Sequence, residues 1–343
     1  MAETNSTPPS WWIVGPGNTP PNGGLANLKE APPWRTFAAT PAADRGKDFK
    51  IDPKQFDVIN AAIWLRRPLL VRGKPGVGKT TLAYAVARQL GLTPVLRWSI
   101  TSRTALKDGL YSYDAIGRLQ ESSLLRDQLG EAMTPPPIEA FMKLGPVGAA
   151  LATSAPGRPR VLLIDELDKS DIDLPNDLLH VFEEGEFTIP ELARLTDRDR
   201  VVLTEPGDDG SARPVSIEKG VVRCSEFPIV LMTSNDERDF PPAFRRRCLE
   251  LDIQPPDPDD LAEIVQTHLK LGEDPELRER VNTIVQGFLT ARTESENNLA
   301  TDQLLHAVFL ALHNVDVEAR LEQGRAAPQD KDALIRRLWR PVQ

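Results

Sequence analysis

Residues 68–81 read Pro-Leu-Leu-Val-Arg-Gly-Lys-Pro-Gly-Val-Gly-Lys-Thr-Thr. An apolar strand runs into a glycine-rich loop and then into a helix-forming stretch, Leu82 to Leu90. Strand, loop and helix in this order can cradle an anion. Gly73, Gly76 and Gly78 can take backbone angles closed to other residues, so that successive N–H groups turn inward on one point. The helix that follows aims the positive end of its dipole at the same point. The pattern Gly-x-x-x-x-Gly-Lys-Thr then implies a nucleoside triphosphate, with ATP and GTP both open because base contacts lie outside it. Lys79 reaches the β- and γ-phosphates and the Thr80 hydroxyl helps to hold Mg²⁺. The nucleotide-binding set is Gly73, Pro75, Gly76, Val77, Gly78, Lys79, Thr80 and Thr81.

A second constellation is Val161-Leu162-Leu163-Ile164-Asp165-Glu166. The apolar run has the form of a strand buried on both faces, and it ends in two adjacent carboxylates. In an open α/β sheet the carboxyl ends of the strands form the ligand-binding edge. Asp165 is placed to hold Mg²⁺, through water or together with Thr80, and Glu166 to polarise an attacking water as general base. A third run, Ile229 to Asn235, is another apolar strand ending in polar residues. Asn235 there reads either as a residue that places the water or senses the γ-phosphate, or as an ordinary turn or cap residue. A fourth is Pro241-Pro242-Ala243-Phe244-Arg245-Arg246-Arg247-Cys248. The three arginines are either a solvated charge run or a phosphate-binding group. One guanidinium offered to a neighbouring subunit's γ-phosphate would stabilise charge in the transition state.

These residues need a frame to hold them, and the hydrophobic pattern supplies one. Apolar strands near 69–71, 94–98, 161–164, 229–233 and 249–253 alternate with helical stretches at 56–66, 80–90, 138–152 and 174–184. From Pro255-Pro256 onward the pattern is helical only, at 258–271, 276–292, 301–312 and 331–339. The expected fold is α/β: a parallel sheet with helices on both faces, followed by a small all-α domain. Val201 to Leu203 and Val215 to Ile217 flank Asp209-Gly210, a hairpin signal. The expected division is a flexible Pro/Gly-rich tail over 1–48, a nucleotide-binding domain over 49–254 and a helical lid over 255–343. Trp11, Trp12 and Trp34 stand out in the tail, and either pack on the folded body or form a docking peptide.

Composition narrows the classes. The chain has 343 residues, 40 % hydrophobic and 27 % charged, with a net charge of −9. That acidic balance argues against general nucleic-acid affinity. Two isolated cysteines and four histidines, without metal-ligand spacing, argue against a zinc site. No apolar run reaches membrane-spanning length, and Trp11 to Val14 is too short for a signal peptide, so a cytoplasmic protein is expected.

The order of motifs resembles the AAA+ ATPases, and within them the MoxR-like branch. Gly73 to Thr80 is similar to the Walker A loop, Leu162 to Glu166 to Walker B and Asn235 to sensor 1. The resemblance puts the arginine finger on Arg247, with Arg246 as second choice. Tyr111 to Arg126 resembles the helix-2 insert of that clade (about 110–130), and the strand pair around Asp209-Gly210 its pre-sensor-1 hairpin (about 200–222). Glu183 to Phe187 and Ile189 to Glu191 are similar to the stretch these proteins carry after Walker B. The likeness spans about Phe49 to Trp339. It implies an ATP hydrolase working as a homo-oligomeric, six-membered ring that remodels or matures a partner protein. Such partners often carry a von Willebrand factor A domain, in metal-centre assembly, complex maturation or defence. Two other readings are a McrB-like motor linked to nucleic acid and a nucleotide-gated scaffold. The chain departs from the pattern in two places. The late helix opens Asn298-Leu299-Ala300-Thr301-Asp302-Gln303 with no sensor 2 arginine, and Cys248 stands where an aromatic is usual.

Overall fold

The computed structural model of the protein describes residues 10–15, 20–28, 31–35, 45–47, 49, 51–129, 134–195, 200–205, 213–269, 275–294, 299–313 and 334–339. In chain order the elements begin α1 (Phe56–Leu65), β1 (Leu69–Arg72), α2 (Lys79–Gln89), β2 (Leu96–Ser99), α3 (Leu106–Leu110), β3 (Tyr111–Tyr113) and α4 (Ala115–Leu129). They continue with β4 (Met142–Leu144), α5 (Pro146–Thr153), β5 (Val161–Asp165), α6 (Leu174–Glu184), β6 (Glu186–Thr188), α7 (Pro190–Ala193), β7 (Arg200–Glu205), β8 (Arg213–Glu218) and β9 (Val221–Arg223). The last are β10 (Ile229–Ser234), α8 (Pro242–Arg247), β11 (Leu249–Asp252), α9 (Pro258–Leu269), α10 (Pro275–Glu294), α11 (Thr301–Leu312) and α12 (Leu334–Leu338).

Two compact units emerge. One comprises Thr40–Gly73 and Gly78–Ile253; the other comprises Met1–Ala39, Lys74–Val77 and Gln254–Gln343. The first is built on a five-stranded sheet in the order β11-β1-β10-β5-β2, every pair parallel. All five residues of β5 are buried, as a central strand covered on both faces requires. β2, at the sheet's edge, alternates buried and exposed residues instead. The fold is thus α/β with a parallel core and a helical C-terminal region, as expected.

A second sheet of six strands, β3-β4-β7-β8-β9-β6, was foreseen only as one hairpin. β7 and β8 do pair antiparallel, with Val201 opposite Ile217 and Leu203 opposite Val215. The turn at Asp209-Gly210 lies outside the described residues. β8 and β9 are joined through Lys219 and Gly220, both at positive φ (51° and 71°), as a tight hairpin turn demands. The expected single helix over 138–152 is broken. A 3-10 turn and β4 precede a helix that starts only at Pro146. Proline suits a first helical position and not an interior one. A Cβ on Gly145 would lie 2.4 Å from the Gly109 carbonyl oxygen, so the chain must pass bare at that point.

The helical unit packs α9 to α12 around Leu261, Ile284, Phe288, Leu304 and Val308. Trp11 and Trp34 pack against this core. The Trp34 ring lies 5.2 Å from the His306 ring and 5.7 Å from that of Phe309. No helix among the described residues is long and apolar enough to cross a membrane.

One ion pair fastens the second sheet to the parallel core. Arg160, just before β5, donates from Nη1 to Glu205 Oε2 at 2.7 Å and to Thr153 Oγ1 at 3.0 Å. The Glu205 side chain is only 3 % exposed. Removing one partner of such a pair strands the other charge in a poorly solvated place. Glu205→Ala is therefore expected to lower stability by about 3–5 kcal/mol, read as a shift in the denaturant midpoint.

Candidate active site

Three neighbouring strands end at one sheet edge, and each carries one of the motifs. β10 lies between β1 and β5, with Arg72 beside Ser234 and Met232 beside Ile164. This register brings the glycine loop after β1, Asp165 and Glu166 after β5, and Asn235 after β10 to the same end. Gly73, Gly76 and Gly78 all adopt positive φ (146°, 79° and 94°). A Cβ on Gly78 would lie 2.5 Å from the Phe49 ring, so this position is closed to side chains twice over. Within the helical unit, a Cβ on Gly76 would lie 3.2 Å from Ala300 Cβ and from the Thr301 backbone nitrogen. α11 opens there, with Ala300 N–H donating to Gln303 Oε1 at 3.1 Å. Asn298 lies outside the described residues.

Lys79 Nζ donates to the Gly73 carbonyl oxygen at 2.6 Å, folding the lysine back over its own loop. Burial holds its pKa below the ordinary lysine value, opposed by the charges of Asp168, Asp236, Asp165 and Glu166. A cation there is desolvated and surrounded by carboxylates, poised for a polyanion. The other loop residues, Pro75, Val77 and Thr81, contribute backbone and helix start.

Asp165 is the hub. Its Oδ1 accepts from Thr80 Oγ1 at 2.9 Å and from Thr233 Oγ1 at 2.8 Å, and its Oδ2 accepts from Arg97 at 2.6 Å. Thr233 Oγ1 also accepts the Glu166 N–H at 2.8 Å. One buried hydroxyl thus ties both carboxylate residues to β10. Glu166 sits at φ 63°, an uncommon left-handed angle for a side-chain-bearing residue. Its Oε2 accepts from Lys169 Nζ at 2.8 Å, and this pairing raises the Lys169 pKa. The Thr80 hydroxyl and the Asp165 carboxylate are hard oxygen donors held side by side. That set fits Mg²⁺, which takes one or two protein oxygens and fills its octahedron with water and phosphate.

The Asn235 side-chain amide makes no hydrogen bond among the described residues; its backbone N–H donates to Asp168 Oδ2 at 2.9 Å. The three arginines differ in their partners. Arg245 forms a two-pronged pair with Glu250, at 2.8 and 2.9 Å. Arg247 is ion-paired with Glu183 on α6. Arg246 is exposed, and its side chain has no partner among the described residues. Buried Phe244 anchors this short helix. Arg67 secures its end, donating to the carbonyl oxygens of Arg246, Arg247 and Cys248 at 2.5, 3.1 and 2.8 Å. The buried Cys248 thiol has its pKa pushed up to about 12, chiefly by desolvation, and is inert.

A sequence model of the ATPase family associated with various cellular activities (AAA) matches residues 69–256, more than half of the chain. The chain belongs to the AAA family. This is a family of ATPases, so nucleotide binding and, in general, ATPase activity come with membership. A comparison with curated protein sequences finds no match. Among solved structures, the chain is similar to PCH-2 of C. elegans, with 13 % identity and a TM-score of 0.41 over 86 % of this chain and 74 % of that one. It is also similar to NtrX from Brucella abortus, solved with ADP, with 13 % identity and a TM-score of 0.39 over 85 % of this chain. It spans 55 % of the NtrX chain.

Three residues of this AAA edge, Thr233, Arg97 and Asp168, had no role in the sequence reading, nor had Arg67 at the opposite, amino end of β1. Thr233 carries the clearest consequence. Thr233→Ala removes the acceptor of the part-buried Glu166 N–H and a donor to Asp165. A loss of about 1–3 kcal/mol is expected from the stranded groups, and Thr233→Ser should recover most of it in the same denaturation measurement.

Proposed function

We propose that this AAA protein hydrolyses ATP at the β1–β10–β5 edge, as a MoxR-like ring that remodels a partner protein in the cytoplasm. The observation carrying the proposal is the Thr80–Asp165 contact at 2.9 Å, which joins the first turn of α2 to the end of β5, next to Glu166. Thr80 and Asp165 would hold Mg²⁺, which supplies charge neutralisation for the β- and γ-phosphates. Lys79 binds the same phosphates once released from the Gly73 carbonyl. Glu166 leaves Lys169 and takes a proton from a water molecule. The water oxygen bonds to the γ-phosphorus, and the bond to the bridging oxygen breaks, leaving ADP. Asn235, whose amide has no other partner among the described residues, orients that water or reads the γ-phosphate.

An arginine from the neighbouring subunit completes the site. Arg247 is assigned this role by resemblance; it must exchange Glu183 for phosphate. Arg246, with no such tie, stays the second candidate. The MoxR-like assignment draws further support from the way the 110–130 insert and the 200–222 hairpin share one sheet, with β4 beside β7 at Lys143 and Thr204. A composite surface of that kind suits engagement of a partner protein.

Lys79→Ala should abolish nucleotide binding in a fluorescent-ATP titration. Glu166→Gln should bind as the wild type does and lose turnover by ~10²–10⁴-fold, the usual cost of a missing general base. Turnover in Glu166→Gln close to wild type would overturn the assignment.

Arg247→Ala should bind ATP and fail to release phosphate alone, yet regain activity when mixed with Glu166→Gln protein. In mixed rings, the intact arginine of one protomer faces the intact glutamate of the other. Recovery from an Arg246→Ala mixture and full activity of Arg247→Ala would move the finger to Arg246.

A further inference from the structure

Asp168 follows Glu166 by two residues and is 4 % exposed. Its Oδ2 accepts two backbone N–H groups from the loop after β10, Asn235 at 2.9 Å and Glu237 at 3.2 Å. Its Oδ1 is buried without a hydrogen-bond partner. A carboxylate in this setting is costly, and an orphaned oxygen adds to the cost. Two charge-assisted bonds converging on one oxygen are what it gains in return.

Both ends of this clamp are stiff. Asp168 lies in a 3-10 turn over Leu167–Lys169, closed by Lys169 N–H to the Glu166 carbonyl oxygen at 3.0 Å and Ser170 N–H to that of Leu167 at 3.1 Å. Leu167 is fully buried and pins the turn in the core. On the other side, Asp236 takes φ 60°, and its N–H donates to Ser234 Oγ at 3.0 Å. The Asn235, Asp236 and Glu237 N–H groups are therefore all committed, two of them to Asp168. A loop that would otherwise leave the sheet freely is wound around one carboxylate oxygen, and that carboxylate belongs to the same turn as Glu166.

We infer that Asp168 is a positioning residue that sets the distance between Glu166 and Asn235 by holding the backbone of 235–237. The inference rests on the hydrolytic reading above, in which Glu166 activates the water and Asn235 senses it. Asp168 bonds to the backbone of Asn235 and Glu237 and acts through Asn235. A shift of about 1 Å in such a pair is enough to cost ~10²-fold in rate.

The test is a double-mutant cycle on the full chain: Asp168→Ala, Asp168→Asn, Asn235→Ala and both double variants with Asn235→Ala. Three quantities are measured for each: thermal stability, affinity for a fluorescent ATP analogue with Mg²⁺, and phosphate release. Asp168→Ala is expected to bind within about twofold of wild type and to lose turnover by ~10²-fold. Asp168→Asn keeps an oxygen acceptor without the charge and should lose only about tenfold. In either background the double variant should lose no more than Asn235→Ala alone, because residues that act as a unit are non-additive. Losses that multiply, or wild-type turnover in Asp168→Asn, would overturn the inference. Should Asp168→Ala fail to fold, the Asp168→Asn cycle decides alone. Absence of Glu166-dependent turnover in the wild type would instead sink the hydrolytic reading itself, which separates the two failures.

Discussion

The parallel insertion of β10 between β1 and β5 is the constraint from which the site follows. Parallel neighbours cannot be joined by a tight turn; each needs a crossover, and each crossover leaves the strand's carboxyl end on the same side as its neighbours'. The loops that leave those ends must therefore converge. Here they are the glycine loop, the Asp165–Glu166 turn and the Asn235 loop. Register decides the rest. Because Met232 faces Ile164, the next pair is Thr233 beside Asp165, and a hydroxyl on the one can reach the carboxylate of the other. A slip of one residue would turn Thr233 to the opposite face and dissolve this connection.

The charged groups of this edge are held by one another. Asp165 is satisfied by Thr80, Thr233 and Arg97, Glu166 by Lys169, and Lys79 leans on a carbonyl oxygen of its own loop. Each of these contacts engages a group that nucleotide and Mg²⁺ would claim. The protein uses internal partners to limit the cost of partly buried charges, and the ones on the rim are weak. The Lys169–Glu166 pair is about 40 % exposed on both sides, which leaves it well screened and readily exchanged. Asp165, at 6 % side-chain exposure, is held far more firmly.

The sequence made the framework of this edge legible because its signals are local. Val161 to Ile164 is apolar throughout since β5 is buried on both faces, and Gly73, Gly76 and Gly78 are glycines because their φ angles are positive. Both facts are written into consecutive residues. Thr233, Arg97 and Asp168 were missed because their roles depend on which strand lies next to which, and strand order is not a local property. Arg67 was missed for the same reason: its three carbonyl partners lie some 180 positions away. The second sheet was read as one hairpin because β3, β4, β6 and β9 have only three residues each, too few to show a period of two. The helix expected over 138–152 failed at Gly145-Pro146, where turn chemistry outweighed helical spacing.

Hydrolysis of ATP at this edge with help from a neighbouring subunit, as proposed above, ties activity to assembly. Phosphate release per protomer, followed against protein concentration at saturating ATP and Mg²⁺ alongside sedimentation, tests it most directly. The rate should climb as protomers assemble and then level off once rings are complete. No release at any concentration, or a rate that stays constant while sedimentation shows monomers assembling, would contradict it.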